Sequence, residues 1–142
     1  MANKNLLVAG VAYTSLITTG LNSLADGSST SASSAVDNTT NLNLYADFGL
    51  MLGSINPSGA PYLELRLLEL NGDGTTYDDD SAGATVGSFL ITTGSSAKVA
   101  TLKRVLLTPG QFKAIIVNRT GVSLAGSSNT LYYRTYSEQN NG

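Results

Sequence analysis

The chain has 142 residues, of which only 13% are charged, and it contains no Cys, His or Trp. Without His and Cys, no imidazole or thiolate can serve as a catalytic base, nucleophile or zinc ligand, and no disulfide can form. Eight Lys and Arg residues against ten Asp and Glu residues give a net charge of -2, so no basic surface for nucleic acid is expected. The length suits one domain with a single core. The composition favours a structural or binding role over an enzymatic one.

The first 37 residues divide into two segments of different composition. Residues 1–20 contain two short apolar runs, 6–13 and 15–19, which predict an N-terminal strand or arm. Residues 21–37 are rich in Ser and Ala and predict a connector between this arm and the rest. Residues 38–142 are expected to form the body of one domain.

The clearest strand pattern lies at 41–52, where apolar residues occupy every second position. The six in-phase apolar residues are Leu42, Leu44, Ala46, Phe48, Leu50 and Leu52. Such a run predicts one long strand with one face on the core. Residues 63–68 predict a second strand, in which the alternation slips at Leu67–Leu68 and a bulge or the strand end is expected.

Four further strands are predicted between clusters of Gly, Asn, Ser and Pro, at 84–92, 97–107, 112–117 and 130–136. The strand at 112–117 is apolar on both faces and is therefore expected to be central in its sheet. The strand at 97–107 carries its apolar and β-branched residues at Val99, Thr101, Val105 and Leu107. The last strand directs Leu131, Tyr133 and Thr135 to one side and Tyr132, Arg134 and Tyr136 to the other.

Seven to eight short strands with little helical periodicity predict an all-β fold. A single-domain antiparallel β-sandwich, most simply a jelly roll, fits this number and spacing of strands. A closed barrel is the alternative.

One acidic loop, at 71–80, invites comparison with a calcium site. Asn71, Asp73 and Thr75 have the alternate spacing of calcium ligands, and Asp79 lies nearby. The loop lacks the Gly and the bidentate Glu of a complete calcium loop, since Thr76 and Ala82 stand at those positions. The simpler interpretation is a solvated hairpin loop, with no metal and no cofactor.

Paired carboxylates could in principle hydrolyse glycosides. The candidates are Asp47, Glu64, Glu69 and the 78–80 run, but Glu64 and Glu69 lie on opposite phases of one strand. These two carboxylates do not converge in an obvious way, and charged residues on the outer face of a strand are usually solvated, so we expect no catalytic residues and no enzyme activity.

The aromatic residues and the N-terminus supply two candidate contact surfaces. Tyr and Arg are enriched at protein interfaces, and Tyr132, Arg134 and Tyr136 share one face of the last strand. Cross-strand pairing with a neighbouring strand is the structural alternative for these residues. The N-terminal apolar residues could pair with a neighbouring molecule as an added strand; these are Leu6, Leu7, Val8 and Val11.

Several blocks of the chain resemble the small virion proteins of tailed bacteriophages. In chain order, the blocks are 36–42, 44–48, 72–77, 108–113, 118–122 and 128–138. The resemblance covers most of the chain from residue 36 onward and includes none of the 22–35 segment. It implies a β-sandwich component of the virion with a structural role, and in particular a decoration or cement protein on the outside of the capsid.

The expected partners follow from this resemblance: the major capsid protein and further copies of the chain, without nucleic acid or membrane. The expected location is the virion, assembled in the cytoplasm of a bacterial host. A receptor- or glycan-binding module of a head or tail fibre is the alternative function, and a tail or neck component is the third.

Overall fold

The computed structural model describes the backbone of residues 4–7 and 12–141 and the side chains of residues 12–137. This part of the chain consists of strands joined by turns and loops, with one short 3-10 helix at Thr19–Leu21. No helix in it is long and apolar enough to cross a membrane. The strands are β1 Lys4–Leu7, β2 Thr14–Ile17, β3 Val36–Asp37, β4 Tyr45–Ile55, β5 Tyr62–Glu69, β6 Ala84–Leu90, β7 Ser96–Leu106, β8 Gln111–Arg119, β9 Thr130–Tyr136 and β10 Glu138–Asn141.

Eight of these strands form two antiparallel sheets of four. The order in the first sheet is β2-β9-β4-β7, and the order in the second is β3-β8-β5-β6. The pairs β2–β9, β3–β8, β4–β7 and β5–β6 are nested within one another along the chain. This is the pattern of one long hairpin rolled into two sheets, so the predicted antiparallel β-sandwich of jelly-roll type is confirmed.

The core lies between the two sheets and is built from alternate residues of the paired strands. On β4 the inward side chains include Ala46, Phe48, Leu50 and Leu52, which are all buried. Leu42 and Leu44, predicted to share this face, are instead exposed, because they precede the first residue of β4. The predicted central strand at 112–117 is confirmed, since β8 lies between β3 and β5.

The slip predicted at Leu67–Leu68 lies inside β5, and both side chains are buried. Leu67 belongs to the core between the sheets. Leu68 points to the other side, where the loop at Gly83 comes so close that a Cβ there would lie 2.5 Å from Leu68 Cδ2. The loop between β5 and β6 thus covers an apolar residue that the alternation alone would leave exposed.

A bulge divides β7 into two halves that follow opposite phases. Ala46 pairs with Val105 and Phe48 with Leu102, so Lys103 and Arg104 together face the single residue Asp47. Arg104 takes a left-handed backbone with φ 55°. The extra residue reverses the alternation. As a result Val105 is buried whereas Val99, on the other side of the bulge, is exposed.

The Ser- and Ala-rich segment precedes β3 and runs along the same edge of β8. Backbone hydrogen bonds join Ser28 O to Asn118 N, Thr30 N to Ile116 O and Ser33 N to Ala114 O, each at 2.9 Å. The hydroxyls of Thr30 and Ser33 accept the N–H groups of Ile116 and Ala114. The segment therefore completes the second sheet at one edge, and small hydroxyl residues suit it because their side chains bond the neighbouring backbone.

Three buried asparagines hold the loops. Asn118 donates to Leu24 O and Val122 O and accepts from Thr120, while Asn38 donates to Asn43 O and Thr108 O. Asn129 accepts the N–H of Gly53 and donates to Ala125 O. Asn38 and Asn118 also begin the two Asn-X-Thr triplets of the sequence, and both are buried in the fold. Their amides are therefore structural clips between loops.

The two ends of the chain pair with each other. β1 and β10 form an antiparallel two-stranded ribbon in which Lys4 lies opposite Asn141 and Leu7 opposite Glu138. The ribbon continues the nested order, since β2 and β9 are the next pair inward. Each of its strands pairs only with the other among the described strands.

Candidate interaction surface

The outward face of the first sheet carries a cluster of aromatic and charged side chains centred on Asp47. Register places Asp47 opposite Arg134, Tyr45 opposite Tyr136 and Gly49 opposite Tyr132. We call this cluster the Tyr–Arg face; its members are Tyr13, Tyr45, Asp47, Arg104, Tyr132, Arg134 and Tyr136. Because residues of β4 and β9 alternate, the polar members of both strands fall on the side away from the core.

Asp47 is the most enclosed member of the Tyr–Arg face, with 3% of its side chain exposed. Arg134 donates from Nε at 3.1 Å and from Nη2 at 2.9 Å to Oδ2 of Asp47. Oδ1 accepts the Tyr136 hydroxyl at 3.0 Å and the backbone N–H of Arg104 at 2.9 Å. Lys103 Nζ lies 3.7 Å from Oδ2. Both oxygens of the buried carboxylate therefore face donors or cations.

These contacts set the ionisation of the group. Burial alone would raise the pKa of Asp47, but the N–H of Arg104, the hydrogen bonds from Arg134 and Tyr136, and the charge of Lys103 outweigh it and hold the pKa below its usual value. The hydrogen bond to Asp47 raises the pKa of Arg134. Burial and the same carboxylate raise the pKa of Tyr136. These directions favour an ionised Asp47 beside a cationic Arg134, so the cluster is a fixed ion pair.

Cations stacked on rings extend the cluster to either side of Asp47. The Arg134 guanidinium lies 4.7 Å from the centre of the Tyr13 ring, and that of Arg104 lies 4.6 Å from the centre of the Tyr45 ring. The Tyr45 and Tyr136 rings are 5.7 Å apart. Such contacts hold long side chains in one conformation, which lowers the entropy that an interface must give up on binding.

An apolar groove of about 310 Å³ lies beside the Tyr–Arg face. Gly49 forms its floor, and a Cβ at this position would lie 3.8 Å from the Tyr13 ring and 3.9 Å from Tyr132 Cβ. Met51, Val99 and Thr101 line the side toward β7. A flat or extended apolar group can therefore reach the sheet backbone between two tyrosines.

The structure brings together the three residues predicted on the last strand, Tyr132, Arg134 and Tyr136, on the Tyr–Arg face. Their contacts include cross-strand pairing, the structural alternative considered for them. Leu6 and Leu7 lie in β1, opposite Gln139 and Glu138 of β10. Val8 and Val11 lie outside the described residues.

The sequence does not identify the centre of the cluster. Asp47 follows the polar phase of β4 like an ordinary solvated residue, and Tyr13 lies more than a hundred residues from Arg134. Arg104 reaches Asp47 through the bulge in β7. One signal in the sequence could have indicated Asp47. The middle of a long alternating strand is an unusual position for a carboxylate unless that carboxylate has a partner.

The acidic loop that was compared with a calcium site folds around its own carboxylates. Oδ1 of Asp73 accepts the N–H groups of Thr76 at 2.8 Å and Thr75 at 2.9 Å, and the Thr76 hydroxyl donates to Oδ2. The Thr76 hydroxyl and these N–H groups hold the pKa of Asp73 at about 2. Among the described side chains, no three or more acidic groups form a metal cluster. The expectation that Asn71, Asp73, Thr75 and Asp79 bind no calcium stays a prediction, which calcium titration tests.

Asp47 and Glu64, two of the carboxylates considered for glycoside hydrolysis, lie on different sheets. Asp47 points outward from the first sheet, and Glu64 lies on β5 of the second. Glu64 bonds Arg66 at 2.9 Å and lies 3.5 Å from Arg119. Asp47 and Glu64 are therefore each held by their own cations.

Comparison of the chain with protein-family models finds no match, and comparison with curated proteins finds none either. The chemistry of the surface must therefore be judged from the residues themselves. A locked Tyr, Arg and Asp cluster beside an apolar groove combines residue types that are enriched at protein interfaces with a charge that is already paired.

Proposed function

We propose that this protein is a structural component of a tailed-phage virion, a decoration or cement protein bound to the outside of the capsid. The observation that carries the proposal is the Tyr–Arg face: a rigid, aromatic surface on a jelly-roll domain whose central charge is already compensated. The sequence blocks that resemble virion proteins support the same role.

The Tyr–Arg face suits contact with a large protein partner. A buried interface loses free energy whenever a charge is left without a partner. Here Asp47 is already paired with Arg134, so a partner protein can cover the cluster without leaving the carboxylate unpaired. The aromatic rings and the neighbouring groove then supply the apolar contact area. The partner we propose is the major capsid protein.

The terminal ribbon supplies a second contact. An isolated two-stranded ribbon is marginally stable in water, because half of its backbone groups bond only to solvent. β1 and β10 form such a ribbon. Pairing with a strand of a neighbouring capsid subunit would stabilise it through main-chain hydrogen bonds. The arm predicted at the N-terminus thus becomes a ribbon that includes the C-terminus.

Many copies make modest contacts sufficient. A decoration protein meets the same capsid surface at each of its repeated positions, so neighbouring copies reinforce one another. A low-charge surface also avoids repulsion between closely packed copies, and the chain carries a net charge of only -2.

The test is binding to particles of the phage that encodes the chain, after removal of the native protein. We expect saturating binding at a copy number comparable to that of the capsid protein, with density on the outside of the shell. Tyr132→Ala should weaken binding at least about tenfold, as expected for an interface aromatic. Tyr62→Ala, a partly exposed tyrosine on β5 of the other sheet, is the matched control. Density only along the tail axis or at the neck, or a few copies per particle, would contradict decoration.

A glycan- or receptor-binding module of a fibre is the second candidate, favoured by one feature of the groove. Gly49 leaves the floor open between Tyr13 and Tyr132, an arrangement on which a sugar ring could stack. A glycan array decides between the two functions. A strong, saturable hit that Gly49→Val abolishes supports the binding module, and no hit together with high-copy particle binding supports decoration.

A further inference from the structure

The two lateral sides of the sandwich differ in how they are closed. On one side, the 28–35 segment bonds the edge of β8. On the other side lie β6 and β7, the last strands of their sheets. Within the described part of the chain, β7 is hydrogen-bonded only to β4 and β6 only to β5. We call this second side the β6–β7 edge.

The most exposed large apolar side chains of the described residues lie along the β6–β7 edge. They are Leu90 at 80%, Val99 at 73% and Leu106 at 68% exposure. Met51, also exposed, pairs directly with Val99 across the β4–β7 ladder. Exposed apolar side chains along an unpaired strand are typical of a surface that another molecule covers.

The usual protection of an edge strand is absent from the first half of β7. Proteins guard such edges with lysines that point into solvent. Lys98 is the only charged residue at 96–102, and its side chain is buried. Its ammonium donates to Gly94 O at 2.6 Å and to Ser96 Oγ at 2.9 Å, closing the hairpin that precedes the strand. The cation therefore does not face an approaching strand.

The second half of β7 is protected against pairing with another strand. The bulge at Lys103 and Arg104 interrupts the regular backbone, and Lys103 is largely exposed. A strand that pairs with β7 can therefore match residues 96–102 and must stop at the bulge. The available template is seven residues long, which is longer than an average strand.

We propose that the partner is a second copy of this chain, with β7 paired antiparallel to β7 across a two-fold axis near Val99. The segment 96–102 is neutral at its surface and made mostly of small or β-branched residues, so it matches itself in the reverse direction without opposing like charges. The pairing joins two four-stranded sheets into one of eight. The exposed Met51 and Val99 side chains of one copy then lie beside those of the other copy.

This inference does not rest on the virion role, because it concerns the backbone edge of β7 and is tested in solution. Val99 and Thr101 also line the groove beside the Tyr–Arg face, so the edge variants are compared in the dimer assay and not in particle binding. The full chain is examined by light scattering and sedimentation across a range of concentrations. We expect a monomer–dimer equilibrium. Val99→Lys should weaken the dimer at least about tenfold, since two ammonium groups would face each other across the axis. Ala32→Lys, at an exposed position of the segment that covers the opposite side, is the charge control.

Cysteine cross-linking locates the contact, because the chain has no cysteine of its own. Val99→Cys should form a disulfide-linked dimer on mild oxidation, while Ala32→Cys should not. Thr101→Lys is a second edge variant should Val99→Lys fail to fold. A chain that stays monomeric, a dimer unaffected by the folded edge variants, or an assembly that does not cross-link at position 99 would overturn the proposal. All of these outcomes are measured without phage particles, so they do not depend on whether the chain binds to a particle.

Discussion

Asp47 and Arg134 face each other across the β4–β9 ladder, and both Nε and Nη2 of Arg134 lie within 3.1 Å of one carboxylate oxygen. The pair stands on the outward side of the sheet, where Arg134 is partly exposed and Asp47 is nevertheless enclosed by Tyr136 and the β7 bulge. A buried carboxylate in this position organises its neighbours, since the backbone of Arg104 and the hydroxyl of Tyr136 are both directed to it.

Replacement of Asp47 by Ala should destabilise the fold. Arg134, Tyr136 and the N–H of Arg104 would each lose their bond to the carboxylate, and the β7 bulge would lose the side chain that anchors it to β4. Because Arg134 is partly exposed and can be rehydrated, we expect a loss of about 2 kcal/mol. The melting temperature should fall by roughly 6 °C. Asp80→Ala, in an exposed loop, is the control, and equal melting of both variants would count against the role of Asp47.

The same pair predicts a particular response to acid. The pKa of Asp47 is lowered in the folded state from its ordinary value of 3.8. Its contribution is therefore complete above that value and is lost as the pH falls through the lowered pKa. Urea unfolding of the wild type and of Asp47→Asn, measured from pH 6 to pH 2, should show a difference in stability that shrinks in acid. A difference independent of pH would contradict the assignment.

Gly53 lies where β4 and a loop are in close contact. A Cβ at this position would lie 2.5 Å from Ser127 O and 2.8 Å from Ala125 Cβ, so the backbone would have to move. We expect Gly53→Ala to cost about 2 kcal/mol through overpacking. Gly72→Ala is the matched control, because nothing lies within 4 Å of its Cβ position. Chemical denaturation midpoints compare the two, and an unchanged midpoint for Gly53→Ala would mean that the loop can yield.

Asn118 joins the loop at Leu24 to the loop at Val122. Its amide nitrogen donates to both carbonyls, at 2.9 and 2.8 Å, and its oxygen accepts from the N–H and hydroxyl of Thr120. Asn118→Ala should cost about 3 kcal/mol, because several buried polar groups lose their partner together. Replacement of the exposed Asn56 by Ala should have little effect. Hydrogen exchange should show faster opening of the 22–30 segment, and unaltered exchange there would contradict a clipping role.

The strands can be predicted from the sequence because alternation is a local property. It correctly assigns Ala46, Phe48, Leu50 and Leu52 to the core face of β4, and the two apolar faces of β8 indicate its central position. The alternation cannot place Leu42 and Leu44, because it does not mark where a strand begins. The alternation also does not predict that Val99 is exposed. One bulged residue shifts the alternation, so residues before the bulge and residues after it follow opposite phases.

The candidate site, like the fold, could be predicted only in part from the sequence. Tyr132, Arg134 and Tyr136 are predictable as one face of one strand. Asp47, which accepts from Arg134 and Tyr136, is not predictable, because the partner of a charged residue lies on another strand and the register between the strands decides which residue it is.

The sequence by itself determined the class of this protein: an all-β domain without thiol or imidazole chemistry, its surface poor in charge. Those properties depend on composition and on the period of two, which need no knowledge of contacts. Only the tertiary structure decided that Asp47 is enclosed and that Lys98 is turned away from the edge of β7. It also decided that the chain ends meet in a ribbon. The enclosure of Asp47 and the terminal ribbon depend on residue pairs that are distant in sequence. These contacts form only when the nested strands roll together, because the packing that compensates for closing long loops involves several segments at once. The burial of Lys98 depends on the register that pairs it with Leu52.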